Sequence, residues 1–297
     1  MIPGARGPRQ TPPAVALVAA GAFSVQFGAA LATRLFHRVG PEGAVTLRLA
    51  IAAVVLAGGM MTRRPARQLR SIPGRDLAVA VAFGLVLAGM NLSFYEAIAR
   101  IPLGVAVTIE FSGPLTLALI GSRRWTDLLW AALAGIGVAL FTTGGGRPLD
   151  PAGIALAFLA GAGWIGYILL SQQTGRRFDA GTGLGIAMVT GAVALLPVGL
   201  AVGGTRLFDP DVLVVGAGVA LLSSVLPYTL ELVALRQVTS RAFGVLLSMD
   251  PAVAAAAGLA VLGQHLTARE LVALVLVSLA NLGNALAGRA GVVATTP

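Results

Sequence analysis

Ten runs of about twenty predominantly apolar residues, parted by short Pro-, Gly- and Arg-containing breaks, fill nearly all of this 297-residue chain. A bilayer core about 30 Å thick takes roughly 20 residues of helix. The runs fall near 14–33, 41–61, 76–95, 101–121, 126–143, 151–171, 182–203, 212–235, 241–263 and 269–288, and none of the intervals has room for a soluble domain. The expected fold is an all-α membrane protein with ten transmembrane helices. Composition agrees, since 57% of residues are hydrophobic and 11% charged, less than half the roughly 25% charged of soluble domains. For the first run, Arg6 and Arg9 ahead of a segment ending Ala30-Leu31-Ala32 also suit a cleavable signal peptide. The length of that run and its internal Gln26 favour a retained helix.

The chain has no Cys, which excludes disulfides, thiolate metal sites and cysteine nucleophiles. Its formal charge is +9 and every basic residue is Arg. In a soluble protein that excess points to nucleic acid. Here membrane topology accounts for it. With the N-terminus inside, the inner segments hold Arg6, Arg9, Arg63, Arg64, Arg67, Arg70, Arg75, Arg123, Arg124, Arg176, Arg177, Arg236, Arg241 and Arg289, against Arg34, Arg38, Arg100, Arg147, Arg206 and Arg269 outside. That asymmetry puts both termini in the cytoplasm and leaves no call for a nucleic-acid partner.

The two halves repeat faintly. A shift of 137 positions pairs Ala97 with Ala234, Ile109 with Leu246 and Pro114 with Pro251; a shift of 141 pairs Phe23 with Trp164, Gln26 with Tyr167 and Thr126 with Thr267. Five spans per copy force the second copy upside down, so the expected units are five-helix repeats over 1–148 and 149–297. Secondary transporters follow this inverted plan, with the site at the midplane.

Five ionisable side chains fall within the spans: Arg48, Glu96, Glu110, Glu231 and Asp250. Each is costly in hydrocarbon and belongs against a polar interior. Glu110 and Asp250 lie near the middle of their spans, whereas Glu96 and Glu231 lie closer to span ends, where loop contacts also account for them. Pro114 follows Glu110 by four residues and so frees its backbone carbonyl; Pro251 directly follows Asp250. Broken helices beside a carboxylate suit a polar ligand, although Pro also kinks spans for packing alone. Gln26, Asn91 with Tyr95, Ser112, and Trp164 with Tyr167 extend the candidate lining on helical faces. An aromatic belt or plain packing is the competing account of Trp164 and Tyr167. Ser223, Ser224 and Ser278 are assigned to bonding between helices. Gly135 with Ala139 and Gly283 with Ala287 give the fifth and tenth spans small-residue faces, suited to packing on each other or in a homodimer.

No enzyme chemistry is legible. His37 and His265 stand in loops without partners, and Gly144-Gly145-Gly146 lacks the Lys of a phosphate loop. No cofactor and no metal are expected.

The stretches Gly89–Leu119, GMNLSFYEAIARIPLGVAVTIEFSGPLTLAL, and Leu222–Leu262, LSSVLPYTLELVALRQVTSRAFGVLLSMDPAVAAAAGLAVL, resemble the drug/metabolite transporter superfamily. Within it the chain is most similar to the EamA-type bacterial amino-acid exporters of the threonine/homoserine branch, a likeness also carried by Gln26, by TLRLA around Arg48 and by GAGWIGYIL from Gly161. The resemblance implies two inverted five-helix repeats around a central cavity, and export of amino acids across the inner membrane. The related aromatic amino-acid exporters share that architecture. Glu96, where the branch carries an apolar residue, and Asp250-Pro251, in place of Glu-Pro, depart from the pattern and bear on selectivity.

A zwitterionic amino acid needs one partner for its ammonium and another for its carboxylate. Glu110 is the leading ammonium partner and Asp250 the second; Arg48 or a helix N-terminus takes the carboxylate. Protons are candidate coupling partners through Glu110 or Asp250, with facilitated diffusion as the alternative mode. Export of drugs or lipophilic cations on the same fold is the rival function.

Overall fold

A straight helix of fifty residues would measure about 75 Å, more than twice a bilayer core, yet Ala14–Arg63 (α1) is helical along its whole length. The conflict resolves at Gly40, with φ 70° and ψ 166°, followed by Pro41. Only glycine takes that backbone conformation cheaply, and Pro41 starts the returning arm with its φ already fixed. The interval 34–40, expected as a loop carrying His37, is thus helix up to the turn.

This computed structural model describes residues 14–63, 72–120, 125–142, 149–178, 181–234 and 246–287. After α1 come α2 (Gly74–Ile98), α3 (Leu103–Glu110), α4 (Ser112–Ile120), α5 (Trp125–Thr142), α6 (Pro151–Arg177), α7 (Thr182–Gly203) and a short 3-10 turn (Gly204–Phe208). The C-terminal part adds α8 (Pro210–Ala220), a π-helical turn (Leu221–Val225), α9 (Leu226–Ala234), α10 (Asp250–Leu262) and α11 (Ala268–Ala287). No strand occurs among the described residues. Among the described residues five helical stretches are long and apolar enough to cross a membrane, and three shorter apolar helices accompany them. Val54, Leu128, Val193 and Val214 are strongly exposed on the outside of the bundle. Such an apolar exterior is suited to lipid.

Helix contacts follow a regular scheme. The first arm of α1 runs antiparallel to α8, the π turn and α9, with Leu31 against Gly218, Gly28 against Leu222 and Ser223, and Gly21 nearest Pro227. Helix α6 lies antiparallel to α2 in the same manner, through Gly163 on Met90, Gly166 on Val86 and Tyr167 on Phe83. The second arm of α1 runs against α7, with Thr46 on Gly199 and Leu49 on Gly191. Helix α3 opposes α10, through Leu103 on Gly258 and Gly104 on Ala255. Helix α5 opposes α11, where Trp130 covers Gly283 and Gly137 meets Ala273 and Val277. The small residue used on α5 is therefore Gly137, one face over from the expected Gly135, which has nothing within 4 Å. Trp130 is bulky, so the helices close around it and the next glycine becomes the contact.

Among the described residues, ion pairs gather at helix ends. Arg38 at the end of the first arm of α1 binds Asp209, at 2.9 Å, and Asp211; Arg177 of α6 binds Asp76 of α2 at 2.5 Å; Arg100 binds Glu96 and also lies 3.9 Å from Asp150 ahead of α6.

Candidate functional site

Two helices break where the apolar core is deepest, and both breaks trace to proline. In the first, α3 stops at Glu110, Phe111 forms a turn, and α4 restarts at Ser112. Pro114 has no N–H for the Glu110 carbonyl, the loss read from the sequence. That carbonyl lies against the backbone of Gly161 on α6, where a Cβ would stand 2.7 Å from it. A Cβ on Gly113 would in turn overlap the Gly161 carbonyl. Only a Gly-on-Gly contact allows α6 to close this tightly over the break. A matching interruption falls at Ser248–Met249, after which α10 starts with Asp250 and Pro251 in its first turn.

The second proline break was not foreseen. In the π turn the Leu226 N–H reaches Leu221 O instead of Leu222 O. The next residue is Pro227, which offers no N–H to either Leu222 O or Ser223 O. Side chains of α1 take both carbonyls. Ser24 Oγ donates to Leu222 O at 2.6 Å, and Arg48 Nη2 donates to Ser223 O at 2.7 Å.

Arg48 is the centre of the cluster, 6% exposed. Its Nε donates to Ser224 Oγ at 3.0 Å, its Nη1 to the Tyr95 hydroxyl at 3.5 Å, and its guanidinium carbon lies 5.6 Å from the Tyr95 ring centroid. Tyr95 is fully buried and leans on Phe36 and Phe94. Glu110 and Asp250, each 6% exposed, lie within electrostatic reach of one another, and Arg48 attracts Glu110. The Trp164 indole lies within reach of the Glu110 carboxylate. Trp164 also packs on Phe111 and Tyr167, with ring centroids 5.2 and 6.2 Å apart, and Tyr167 packs on Phe83. These rings form one contiguous aromatic wall.

The structure thus gathers Arg48, Tyr95, Glu110, Trp164, Tyr167 and Asp250 from the sequence-derived candidates. Gln26 is 3% exposed on the first arm of α1, and its Oε1 is buried with no hydrogen-bond partner among the described residues. Asn91 is buried but turns its Nδ2 onto Leu87 O of its own helix at 2.7 Å. Ser112 is half-buried at the start of α4, where its carbonyl accepts from Thr116. Glu96 points its carboxylate at Arg100, one turn along α2. Pro114 and Pro251 both stand in the first turn of a helix that follows an interruption. The Glu231 side chain lies outside the described residues. Ser24, Ser223 and Ser224, which bind the freed backbone or Arg48, were not placed at the site from sequence. Their signal was the Ser-Ser pair three and four residues before Pro227. Among the described residues no cluster of His, Cys, Asp and Glu is able to hold a metal ion.

Residues 151–284 match the EamA-like transporter family. The chain is 40% identical over 279 residues to the threonine/homoserine exporter RhtA of Escherichia coli (strain K12), spanning 93% of this chain and 92% of that protein. It is 39% identical over 265 residues to the exporter of the same name in Salmonella typhimurium (strain SL1344), spanning 89% and 88%. A solved protein structure covers 94% of this chain with a TM-score of 0.61 at 17% identity, a likeness of fold.

Proposed function

The chain belongs to the threonine/homoserine-exporter branch of the EamA-like transporter family, within the drug/metabolite transporter superfamily, and from that premise we propose that it exports threonine, homoserine and similar neutral amino acids by alternating access. Aromatic amino acids stand at the edge of its range. One observation carries the mechanism: two buried carboxylates, Glu110 and Asp250, share a cluster with one guanidinium, Arg48. Among the described residues the cluster thus sets two carboxylates beside one guanidinium. The ammonium of an entering amino acid takes Glu110 as its first partner, and the substrate's own carboxylate keeps the net charge of the site unchanged. Three of the five Arg48 N–H donors serve protein partners, which leaves donors for the substrate carboxylate. The N-terminal end of α10 favours negative charge at the same depth. Trp164, Tyr167 and Phe111 enclose the aliphatic part.

Alternating access requires two states of similar energy, which an inverted repeat supplies by symmetry. The pairing scheme supports ten spans in two five-helix repeats, 1–148 and 149–297. The first arm of α1 with the α8–α9 segment answers α6 with α2, while the other three pairings set an element against its own counterpart, as a two-fold axis in the membrane plane demands. Both termini belong in the cytoplasm of the bacterial inner membrane by the Arg asymmetry. The contact between α5 and α11 uses Gly137 and Gly283 within one chain, so a homodimer through these helices would rest on their outer faces.

A proton on Glu110 removes the charge that the ammonium binds, so proton and substrate exclude one another there, and proton antiport through Glu110 or Asp250 is the proposed coupling. Efflux from vesicles with and without a pH gradient separates it from facilitated diffusion. Counterflow of each amino acid and of cationic dyes through the purified, reconstituted chain tests the function itself. Glu110→Gln should reduce threonine counterflow at least about 100-fold while the protein stays folded in the membrane. Full activity in that variant, or carriage of dyes alone, defeats the assignment.

A further inference from the structure

Gln26 presents a problem of hydrogen bonding. A buried amide oxygen without a donor is costly, and apolar substitutes of the same size are freely available to a membrane helix. On the first arm of α1, the face made by Gly21, Ser24, Gly28 and Leu31 is spent on α8, the π turn and α9. Gln26 lies about 200° around the helix from both Ser24 and Gly28, on the stripe Val18, Ala22, Gln26 and Ala29, all buried. Near its N-terminal end that stripe is next to Leu246 and Leu247, which pack on Leu17 and Val18 together with Leu230 of α9. Those leucines lead directly into Asp250 and α10, against which α1 also packs. Gln26 therefore lies on a buried stripe of α1 whose N-terminal end packs beside the segment leading to Asp250, while Ser24 on the opposite face of the same turn is tied to the π turn that holds Arg48.

Taking the export function proposed above as given, we infer that Gln26 Oε1 is the acceptor for the side-chain hydroxyl of the substrate, so that the site selects β- and γ-hydroxy amino acids over apolar isosteres. The ammonium and carboxylate of every amino acid are alike, so Glu110, Asp250 and Arg48 cannot discriminate threonine from valine. A buried acceptor can. It goes unpaired when valine or 2-aminobutyrate occupies the site and is satisfied only when a hydroxyl donates to it. Sites built on such a bond reject the analogue that lacks it far more strongly than an apolar pocket rejects an added hydroxyl.

The test is competition by threonine, valine and 2-aminobutyrate against labelled homoserine counterflow in vesicles of the full chain. The wild type should prefer threonine over valine. Gln26→Leu should lower that preference about tenfold, with valine competing at least as well as before, and Gln26→Glu, which keeps an acceptor, should retain the preference for threonine. An unchanged preference in Gln26→Leu overturns the inference. So does a Gln26→Leu chain that has lost threonine and valine together, because the amide would then be holding the fold. A wild type that carries amino acids without preferring the hydroxylated ones also overturns it. Wild-type vesicles that carry no amino acid at all overturn the export function itself, an outcome distinct from these.

Discussion

The break between α3 and α4 and the π turn before α9 begin from the same defect, a proline that withholds an N–H from a buried carbonyl, and they are completed in opposite ways. At the first, the Glu110 carbonyl is packed against the bare backbone of Gly161, and the acidic side chain on the same residue faces Arg48 and Trp164. At the second, Leu222 O and Ser223 O are each held by a side chain from α1. The first break is kept by shape and the second by hydrogen bonds. Shape tolerates sliding of one backbone over another, whereas a guanidinium bound to a carbonyl fixes register. The division suits a site in which the carboxylate side must respond to a ligand while the guanidinium side stays oriented.

Removing Arg48 strikes hardest at this contrast. Arg48→Met strips the partner from Ser223 O and leaves Glu110 and Asp250 without their cation, so stability should fall by about 3 to 5 kcal/mol, seen as a large drop in thermal stability in detergent and loss of transport. Arg48→Lys should recover only part of it, since an ammonium lacks the planar fork that serves Ser223 O, Ser224 and Tyr95 together. A wild-type melting temperature in Arg48→Met would mean that the π turn is not pinned.

Gly113→Ala probes the other break. The added methyl meets the backbone carbonyl of Gly161, which has no rotamer to change, and overpacking of this kind costs about 1 to 3 kcal/mol. Transport should fall more steeply than thermal stability, because the helices part at the carboxylate. Equal losses in both would place the close contact in folding alone.

Ser24→Ala is the mildest. It leaves Leu222 O without its donor, at about 1 to 2 kcal/mol, with Glu110 chemistry untouched. Thermal stability should therefore drop while the apparent affinity for threonine stays within about twofold. A larger shift in affinity would show that the π turn shapes the substrate site directly.

The carboxylate break was open to reading from the sequence because every part of it is local: Glu110, Ser112 and Pro114 lie within five residues, and the missing N–H follows from covalent structure. The pinned break was not. Pro227 makes its defect visible, but the remedy comes from Ser24 and Arg48, 198 and 175 residues away from the carbonyls they bind, and no local pattern encodes that distance. Glu96 was placed among the candidates on charge alone, and its pairing with Arg100 needed the helix geometry at the end of α2. For α5, periodicity marked Gly135 with Ala139, yet Gly137 makes the contact because the bulk of Trp130 sets the rotation of that helix. Helix existence was legible nearly everywhere, since hydropathy alone specifies it.

The turn at Gly40–Pro41 leaves essentially no linker between the two arms of α1, so both arms must enter the membrane together as one hairpin. Arg48 enters with them. Its partners on the π turn emerge from the ribosome only after a further 175 or so residues, about 10 to 35 s later at ordinary elongation rates. During that interval a charge inside an apolar arm lacks the partners that fix its orientation, and it depends on the insertion machinery or on Tyr95 and Glu110, made far sooner, for shelter. The residue that finally secures the architecture is, for most of the time the protein is being made, its principal hazard.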